Sequence, residues 1–521
     1  MILSIPLRCL FFILAMVLLS CQTQDKAPKP PNIILFLVDD MGWQDTSVPF
    51  WTQPTDFNRR YRTPNMERLA REGMKFTQAY AASVCSPTRV SLMSGMNAAR
   101  HRVTNWTLRR NATNDRPHPT LAFPDWNVNG IQPTDSIERA TYITPLPQLL
   151  RDNGYLTIHT GKAHFGAEGT PGADPLNLGF DVNIAGHAAG GPGSYLGKYN
   201  FSADWRDGDR IWDIPGLEKY HGQDIFLTEA LTREAIHAVD SARIMGQPFY
   251  LYMAHYAVHV PLEKDDRYYQ AFIDSGLDEK EAIYAALVEG MDKSLGDLMA
   301  YLDEQGLTDN TIILFMSDNG GLSASGRGGE PNTHNKPLSS GKGSAHEGGI
   351  RVPMLVKWPG VTTPGTSSDE YLIIEDFFPT ILEMADIANY ETVQTTDGVS
   401  FTPILKGQQP ATMERTLFWH FPNNWGPVGP GIGASSTIRR GKWKLIYYYQ
   451  DRSFELFDLE TDIGEHHNLS AKLPDLVDQL AGELTTYLHS VDAQLPLDKE
   501  SGKLLAFPGT GKVTSPDLTA H

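Results

Sequence analysis

Two stretches of the 521-residue chain read almost as copies: Asn32-Ile-Ile-Leu-Phe-Leu-Val38, which runs straight into Asp39-Asp40, and Thr311-Ile-Ile-Leu-Phe-Met316, which runs into Ser317-Asp318-Asn319-Gly320-Gly321. Neither alternates apolar with polar residues, so each suits a strand buried on both faces, as in a parallel sheet covered by helices. Helical patterns occur at Thr63 to Gly73, Leu146 to Asn153, Thr228 to Ser241 and Glu279 to Gln305, and further strands at Tyr155 to His159 and Phe249 to Ala254. That alternation predicts an α/β fold, a doubly wound, mostly parallel sheet between helices. Ligands bind beyond the carboxyl ends of such strands, so the two acidic strand ends should face one crevice. Asp39, Asp40, Asp318 and Asn319 gathered there would repel one another without a cation among them, and four hard oxygen donors suit Ca²⁺ or Mg²⁺ rather than Zn²⁺. One such Asp alone would read as a turn or cap residue; the matched pair of strand ends points to a metal.

Beyond about Lys406 the texture changes. Arg415 to Phe421, Ser436 to Tyr449 and Phe454 to Leu459 read as short strands, and Leu473 to Ser490 as a helix packed on them. A smaller C-terminal α+β subdomain with a short antiparallel sheet is expected over 411–521, after a catalytic domain at 32–410. At the other end, the apolar run Cys9 to Leu19 is too short for a membrane span and reads as an export signal over 1–20. Leu18-Leu19-Ser20-Cys21 has the form of a bacterial lipobox with Cys21 as the lipidation site, and a Pro-rich tether fills 21–31. The expected location is therefore outside the cytoplasm, as a periplasmic or outer-membrane, cell-surface lipoprotein of a bacterium, with a lipid anchor as its membrane attachment. In that setting the sequons at Asn105, Asn111, Asn200 and Asn468 carry little weight.

The chain has 62 acidic and 44 basic residues, net −18, which excludes a nucleic-acid binder relying on excess Lys and Arg. Its three cysteines include two in the signal region, leaving Cys85 alone in the folded body with no disulfide framework. Three long irregular stretches, His101 to Thr141, Ala185 to Gly216 and Leu322 to Gly349, interrupt the regular pattern, and loops of that length in a compact domain are usually functional or disordered. The first holds Trp106, Arg109, Arg110, His118 and Trp126, which suits an anionic, ring-containing ligand.

Cys85 opens the segment Cys85-Ser-Pro-Thr-Arg-Val-Ser-Leu-Met-Ser-Gly95. Ser86 is the expected N-cap and Pro87 suits the first helical turn, which places Cys85 where free N–H groups and the helix dipole favour an anion. Arg89, one turn on, is positioned to reach back to it. Cys85-x-Pro87-x-Arg89 followed by Ser-Leu-Met-Ser-Gly resembles the signature of the type I sulfatases, members of the alkaline-phosphatase superfamily. The likeness extends through Pro31 to Gly42, Gly154-Tyr155 with Gly161-Lys162-x-His164, Phe249 to Pro261, Ser317 to Gly320, Gly341 to Pro353, and the C-terminal Trp443-Lys-Leu-Ile and Glu455-Leu-Phe-Asp-Leu.

The resemblance implies an alkaline-phosphatase-like fold and hydrolysis of sulfate monoesters. It implies that Cys85 is oxidised to formylglycine (3-oxoalanine) by a formylglycine-generating or anaerobic sulfatase-maturating enzyme, and that the hydrate attacks sulfur to give a sulfo-enzyme intermediate. Calcium, ahead of magnesium, would be held by Asp39, Asp40, Asp318, Asn319 and residue 85. Lys162, Lys342 and His259 would surround the sulfate oxygens. His259, with Lys342, would protonate the leaving oxygen, and His164 would take the proton that regenerates the aldehyde. The resemblance leaves His255 without a role. A sulfated polysaccharide or oligosaccharide is the expected substrate, with His420, Trp106, Arg109 and Arg110 as candidate sugar contacts. A phosphonate or phosphate-ester hydrolase on the same scaffold, and a non-catalytic lipoprotein that binds sulfated glycan, are the alternatives.

Overall fold

The computed structural model describes residues 29–322, 335–408 and 415–510. Its main sheet is built from β1 (Asn32–Val38), β2 (Met74–Tyr80), β3 (Leu156–Gly161), β4 (Val182–Ile184), β5 (Phe249–Ala254), β6 (Thr311–Ser317), β7 (Arg351–Lys357), β8 (Thr366–Ser368) and β9 (Leu372–Ile373). The order is β8-β2-β7-β6-β1-β5-β3-β4, with β9 also on β2. β1 pairs in parallel with both β5 and β6, as the unbroken apolar runs predict, whereas β7 runs antiparallel between β6 and β2. Neither β2 nor β7 carries a run as apolar as those two, and both escape a reading based on that signature.

Successive residues of β1 serve opposite layers. Ile33, Leu35 and Leu37 pack with α2 (Cys85–Ser94), α3 (Leu146–Asp152) and α6 (Phe377–Met384). Ile34, Phe36 and Val38 pack with α1 (Pro64–Glu72), α4 (Leu227–Met245) and α5 (Glu279–Glu304). All six side chains are at most 1% exposed, and burial of a side chain of this size is worth roughly 1.5–3 kcal/mol. The strand is anchored from both sides, which fixes where its carboxyl end lies. The Glu279 to Gln305 pattern is one helix, capped by the Asp278 side chain accepting from the N–H groups of Lys280 and Glu281.

A second, antiparallel sheet joins β10 (Thr416–Phe421), β11 (Ser435–Arg440), β12 (Trp443–Tyr448) and β13 (Phe454–Asp458). The single strand expected over Ser436 to Tyr449 is thus a hairpin, turning at Gly441-Lys442 with Gly441 at φ 57° and Arg440 opposite Trp443. Ile438, Leu445 and Leu456 of this sheet bury Val477, Leu480 and Leu484 of α7 (Pro474–Ser490). Lys444 of β12 reaches Glu347 (3.0 Å) and Glu465 (2.8 Å), and Glu465 accepts the Glu347 N–H at 2.7 Å. These buried charges clamp the C-terminal sheet to the segment carrying Lys342.

No helix among the described residues is long and apolar enough to cross a membrane. The signal segment, Cys9, Cys21, the tether up to residue 28 and residues 323–334 of the third irregular stretch lie outside the described residues, as does the expected boundary at 410.

Candidate active site

Val38 stands opposite Ser317, so β1 and β6 deliver Asp39-Asp40 and Asp318-Asn319 to one edge of the sheet. All four residues are at most 1% exposed. Lys162, just past the end of β3, donates to Asp39 Oδ2 at 2.7 Å and stands 3.9 Å from Asp318 Oδ2. Arg89 donates through Nε and Nη2 to Asp318 Oδ2 (3.0 and 2.8 Å) and through Nη1 to the Lys162 carbonyl (2.7 Å). Lys342 Nζ lies 2.6 Å from Asp40 Oδ1, which also accepts from Asn319 Nδ2 at 2.8 Å.

Three buried oxygens are left without a hydrogen-bond partner: Asp39 Oδ1, Asp40 Oδ2 and Asn319 Oδ1. Each such acceptor costs about 1–3 kcal/mol, more when charged, unless something positive completes it. Ligand atoms of Asp39, Cys85 and Asp318 lie within 4.8 Å of one another. This donor set fits a hard, oxygen-seeking divalent cation. Burial, with Asp318 next to it, pushes the Asp39 carboxyl well above its usual range despite Lys162. Burial acts the same way on Asp40 and Asp318, but Lys342 and His259 hold Asp40 down, and Arg89 and Lys162 hold Asp318 down. A divalent ion is the added charge that would bring Asp39 into line.

α2 begins at Cys85 itself, with Val84 as its N-cap, two residues earlier than Ser86 as cap would give, and ends where Gly95 at φ 68° returns its N–H to Ser91 O. Ser86 Oγ instead accepts from Thr107 N (3.1 Å) and donates to the His164 carbonyl (3.3 Å), tying the helix start to two loops. Cys85 is 4% exposed at the helix N-terminus, and burial pushes its thiol up in spite of Lys162 and Lys342, so the unmodified side chain is protonated at neutral pH. Arg89 does not reach back to Cys85 for a hydrogen bond, because a fully buried Asp318 carboxylate is the stronger partner for a buried guanidinium.

The two histidines differ in which nitrogen is available. His164 Nε2 sits 2.7 Å from the Thr107 carbonyl, which can only accept, so Nε2 carries the hydrogen and the unpartnered Nδ1 holds the lone pair. His259 is reversed: Nδ1 donates to Val260 O at 2.7 Å, leaving Nε2 3.7 Å from Asp40 Oδ2. Burial drives His164 well below its usual value, and burial with Lys342 takes His259 down to about 3. Burial lowers Lys342 too, but Asp40 and Cys85 outweigh it and hold the ammonium above its ordinary range. Lys342, not His259, therefore holds the proton at this edge. His255 is a core residue, with Nε2 2.9 Å from Ser294 Oγ and its ring against Phe36.

Cys85, Asp40, His164, His259 and Lys342 open into a cavity of about 1020 Å³. Arg89 and Lys162 are fully buried behind the carboxylates and do not line it. Of the candidate sugar contacts, Trp106 lines the cavity and the other three do not. Arg109 is turned outward and paired with Glu168 (3.3 Å) and Asp209; Arg110 is exposed. His420 is buried between Ser436 Oγ (2.7 Å) and Gln494 O (2.8 Å), a bridge within the C-terminal region. Carboxylates in reach claimed Arg109, and buried partners claimed His420, before the cavity could.

Several lining residues escaped the sequence: Asn114 and Arg116 in the first irregular stretch, Trp212 in the second, and Trp425 beyond the main sheet. So did the role of Gly190 and Gly191. A Cβ on Gly190 would stand 2.4 Å from His164 Cε1, and one on Gly191 would stand 2.9 Å from His259 Nδ1. The Gly190-Gly191-Pro192-Gly193 run was the available signal, since adjacent glycines mark a close approach of backbone to something else.

The model of the family described as Sulfatase matches residues 31–387, and that of the N-sulphoglucosamine sulphohydrolase C-terminal region matches residues 341–494. A sulfatase of Formosa agariphila is 30% identical over 507 residues, covering 88% of this chain and 87% of that protein. N-acetylgalactosamine-6-sulfatase of Homo sapiens is 32% identical over 500 residues, covering 87% and 86%. Among solved structures, Ps i-CgsB in complex with k-i-k-neocarrahexaose has a TM-score of 0.68 at 27% identity, covering 88% of this chain and 93% of the other. BT4656 in complex with D-glucosamine-2-N,6-O-disulfate shares the fold, with a TM-score of 0.59 at 19% identity and coverage of 89% and 98%.

Proposed function

The chain belongs to the sulfatase family and is a sulfuric ester hydrolase, and from that premise we propose that it removes O-sulfate groups from a sulfated polysaccharide or oligosaccharide, with formylglycine formed from Cys85 and calcium at the acidic strand ends. One observation carries this reading: buried oxygens without partners on Asp39, Asp40 and Asn319 gather at one edge of the sheet, where Asp40 and Cys85, the latter at a helix N-terminus, line the cavity. Bound there, calcium would be held by Asp39, Asp40, Asp318 and Asn319 and would neutralise charge on the ester's oxygens. Formylglycine, as its hydrate, would supply an oxygen nucleophile with a second hydroxyl whose deprotonation releases sulfate.

The chain's own residues supply orientation and protons. Arg89 and Lys162 hold the Asp318 and Asp39 carboxylates in place. Lys342, which carries the available proton, is the donor for the leaving alcohol oxygen, and His259 Nε2 joins it as the negative charge of an incoming ester raises that imidazole. His164 Nδ1, a lone pair with no partner, is the acceptor for the proton that leaves residue 85. Trp106, Trp212 and Trp425 around the cavity suit stacking on sugar rings. A relative named N-acetylgalactosamine-6-sulfatase and a neighbour solved in complex with k-i-k-neocarrahexaose support a carbohydrate substrate. Export as a lipoprotein anchored through Cys21, and maturation by a formylglycine-generating or anaerobic maturating enzyme, complete the proposal.

The test pairs two measurements on enzyme from its native host. Mass spectrometry of the peptide containing residue 85 should find the aldehyde, and turnover of a sulfate ester should exceed that of the matching phosphate ester. Fully active enzyme with unconverted cysteine, or a preference for the phosphate, would overturn the reading.

A further inference from the structure

Arg116 stands apart from the other charged residues of the catalytic cavity. Asp40 and Lys342 neutralise each other at 2.6 Å, but no carboxylate pairs with Arg116 among the described residues. Arg116 is exposed, and it lines the cavity without an ion pair among the described residues. Its backbone is held firmly: Arg116 N donates to Asn424 O at 3.0 Å, and Asn424 Nδ2 returns a bond to Arg116 O at 3.1 Å. The neighbouring Asp115 carboxylate is saturated. Its Oδ1 accepts from Asn105 Nδ2 (3.0 Å) and Asn424 N (3.0 Å), and its Oδ2 accepts from Thr113 Oγ1 (2.6 Å), Trp126 Nε1 (3.0 Å) and Asn423 Nδ2 (3.1 Å). Five donors on one carboxylate join four stretches of chain, so the loop carrying Arg116 cannot drift, and little of that charge is left to attract the guanidinium.

Room for the side chain is also built in. A Cβ on Gly426 would stand 2.6 Å from Arg116 Cγ, so the arginine lies along bare backbone beside Trp425. Arg116 also borders a second cleft of about 320 Å³, which gives a chain bound in the cavity space to continue.

We propose that Arg116, with Trp425 beside it, forms a subsite for a second anionic group on the carbohydrate, a uronate carboxylate or a further sulfate, separate from the sulfate that is cleaved. This rests on the carbohydrate sulfatase reading and deepens it. The planar fork of a guanidinium takes either anion through two parallel hydrogen bonds, which an ammonium cannot do. The subsite therefore selects saccharides carrying at least two negative charges.

The experiment compares three saccharides in the formylglycine-containing full-length enzyme: one bearing a single sulfate and neutral neighbours, one with a neighbouring uronic acid, and one with a second sulfate. The readout is the ratio of kcat/KM for each doubly charged substrate to that for the singly charged one, which is independent of the fraction of enzyme correctly folded or matured. Wild type should prefer a doubly charged substrate, and whichever of the two it prefers identifies the anion. Arg116→Gln should reduce that ratio by roughly tenfold to a hundredfold, mainly through KM, as expected for losing a hydrogen bond to a charged group, and Arg116→Lys should restore part of it. An unchanged ratio in Arg116→Gln, or no wild-type preference, overturns the subsite while leaving the sulfatase reading intact. If wild type released sulfate from none of the three or from any other sulfate ester, the sulfatase reading would fall and the subsite with it.

Discussion

Beneath the residues that line the cavity, Asp39, Asp318, Lys162 and Arg89 form a fully buried floor, paired with one another at strand ends and along a helix. Along the cavity wall, Arg116 and Trp425 stand on irregular segments and Trp212 on a short 3-10 turn, and Arg116 has no ion pair among the described residues. The floor has opposite charges interleaved so tightly that only a few oxygens remain to be completed. Its geometry follows from sheet register, because Val38 opposite Ser317 leaves the next residues no other place to go. The wall depends on a few polar knots, of which Asp115 is the chief, so its shape can vary without disturbing the chemistry beneath. Under the proposed function, such a division would let one reaction serve different sugars, the floor setting what is cleaved and the wall what is admitted.

The sharpest way to break this comparison is at the floor. Arg89→Ala removes the charge that balances Asp318 where neither side chain touches water, and should cost roughly 3–5 kcal/mol of folding stability, read as a lower urea midpoint. A loss below about 1 kcal/mol would mean that the floor is as adaptable as the wall. Next in size is the seam between the two. Gly190→Ala puts a methyl group 2.4 Å from the His164 ring, whose other side is held by the Thr107 carbonyl, so the ring must turn. Turnover should fall by about a hundredfold with little change in melting temperature, the penalty of misplacing a proton acceptor by about 1 Å. Wild-type turnover in that variant would show that His164 needs no such placement.

The smallest effect concerns how the wall is rooted. His101 accepts Val103 N–H at Nδ1 (3.0 Å) and reaches Ser91 Oγ through Nε2 (3.1 Å), while His420 bridges Ser436 and Gln494. Burial holds them neutral, down to about 3 for His101 and about 4 for His420, against about 6.5 in the unfolded chain. Because the folded values are the lower ones, the stability these rings confer is complete above pH 6.5 and is lost as pH falls through about 4 and then 3. Melting temperature should decline steadily from pH 6.5 to pH 4, and His420→Gln should flatten part of that decline. A melting temperature that stays level over this range would remove these histidines as roots of the wall.

Legibility in the sequence follows the same division. Asn32–Val38 and Thr311–Ser317 announce themselves because a strand buried on both faces must be apolar at every position, so the carboxylates that follow them group together on sequence alone. The helix at Cys85 is equally legible, apart from its cap, because the Ser86 hydroxyl ties the helix start to Thr107 N and the His164 carbonyl instead. The antiparallel strand Arg351–Lys357 and the split at Gly441 were harder, since a strand's direction and its end depend on neighbours far along the chain.

Arg109, Arg110 and Arg116 show where sequence stops. They share one irregular stretch, carry the same side chain and differ in nothing that periodicity can detect, yet Glu168 and Asp209 hold the first outward, the second is exposed without lining the cavity, and the third, exposed as well, lines it. The sequence alone determined the buried strands, the acidic floor and the special position of Cys85, because burial leaves a local imprint on residue type. Tertiary structure alone decided which cation meets which carboxylate, which imidazole nitrogen is free and which arginine lines the cavity, because those outcomes depend on competition among partners that only the folded chain brings together.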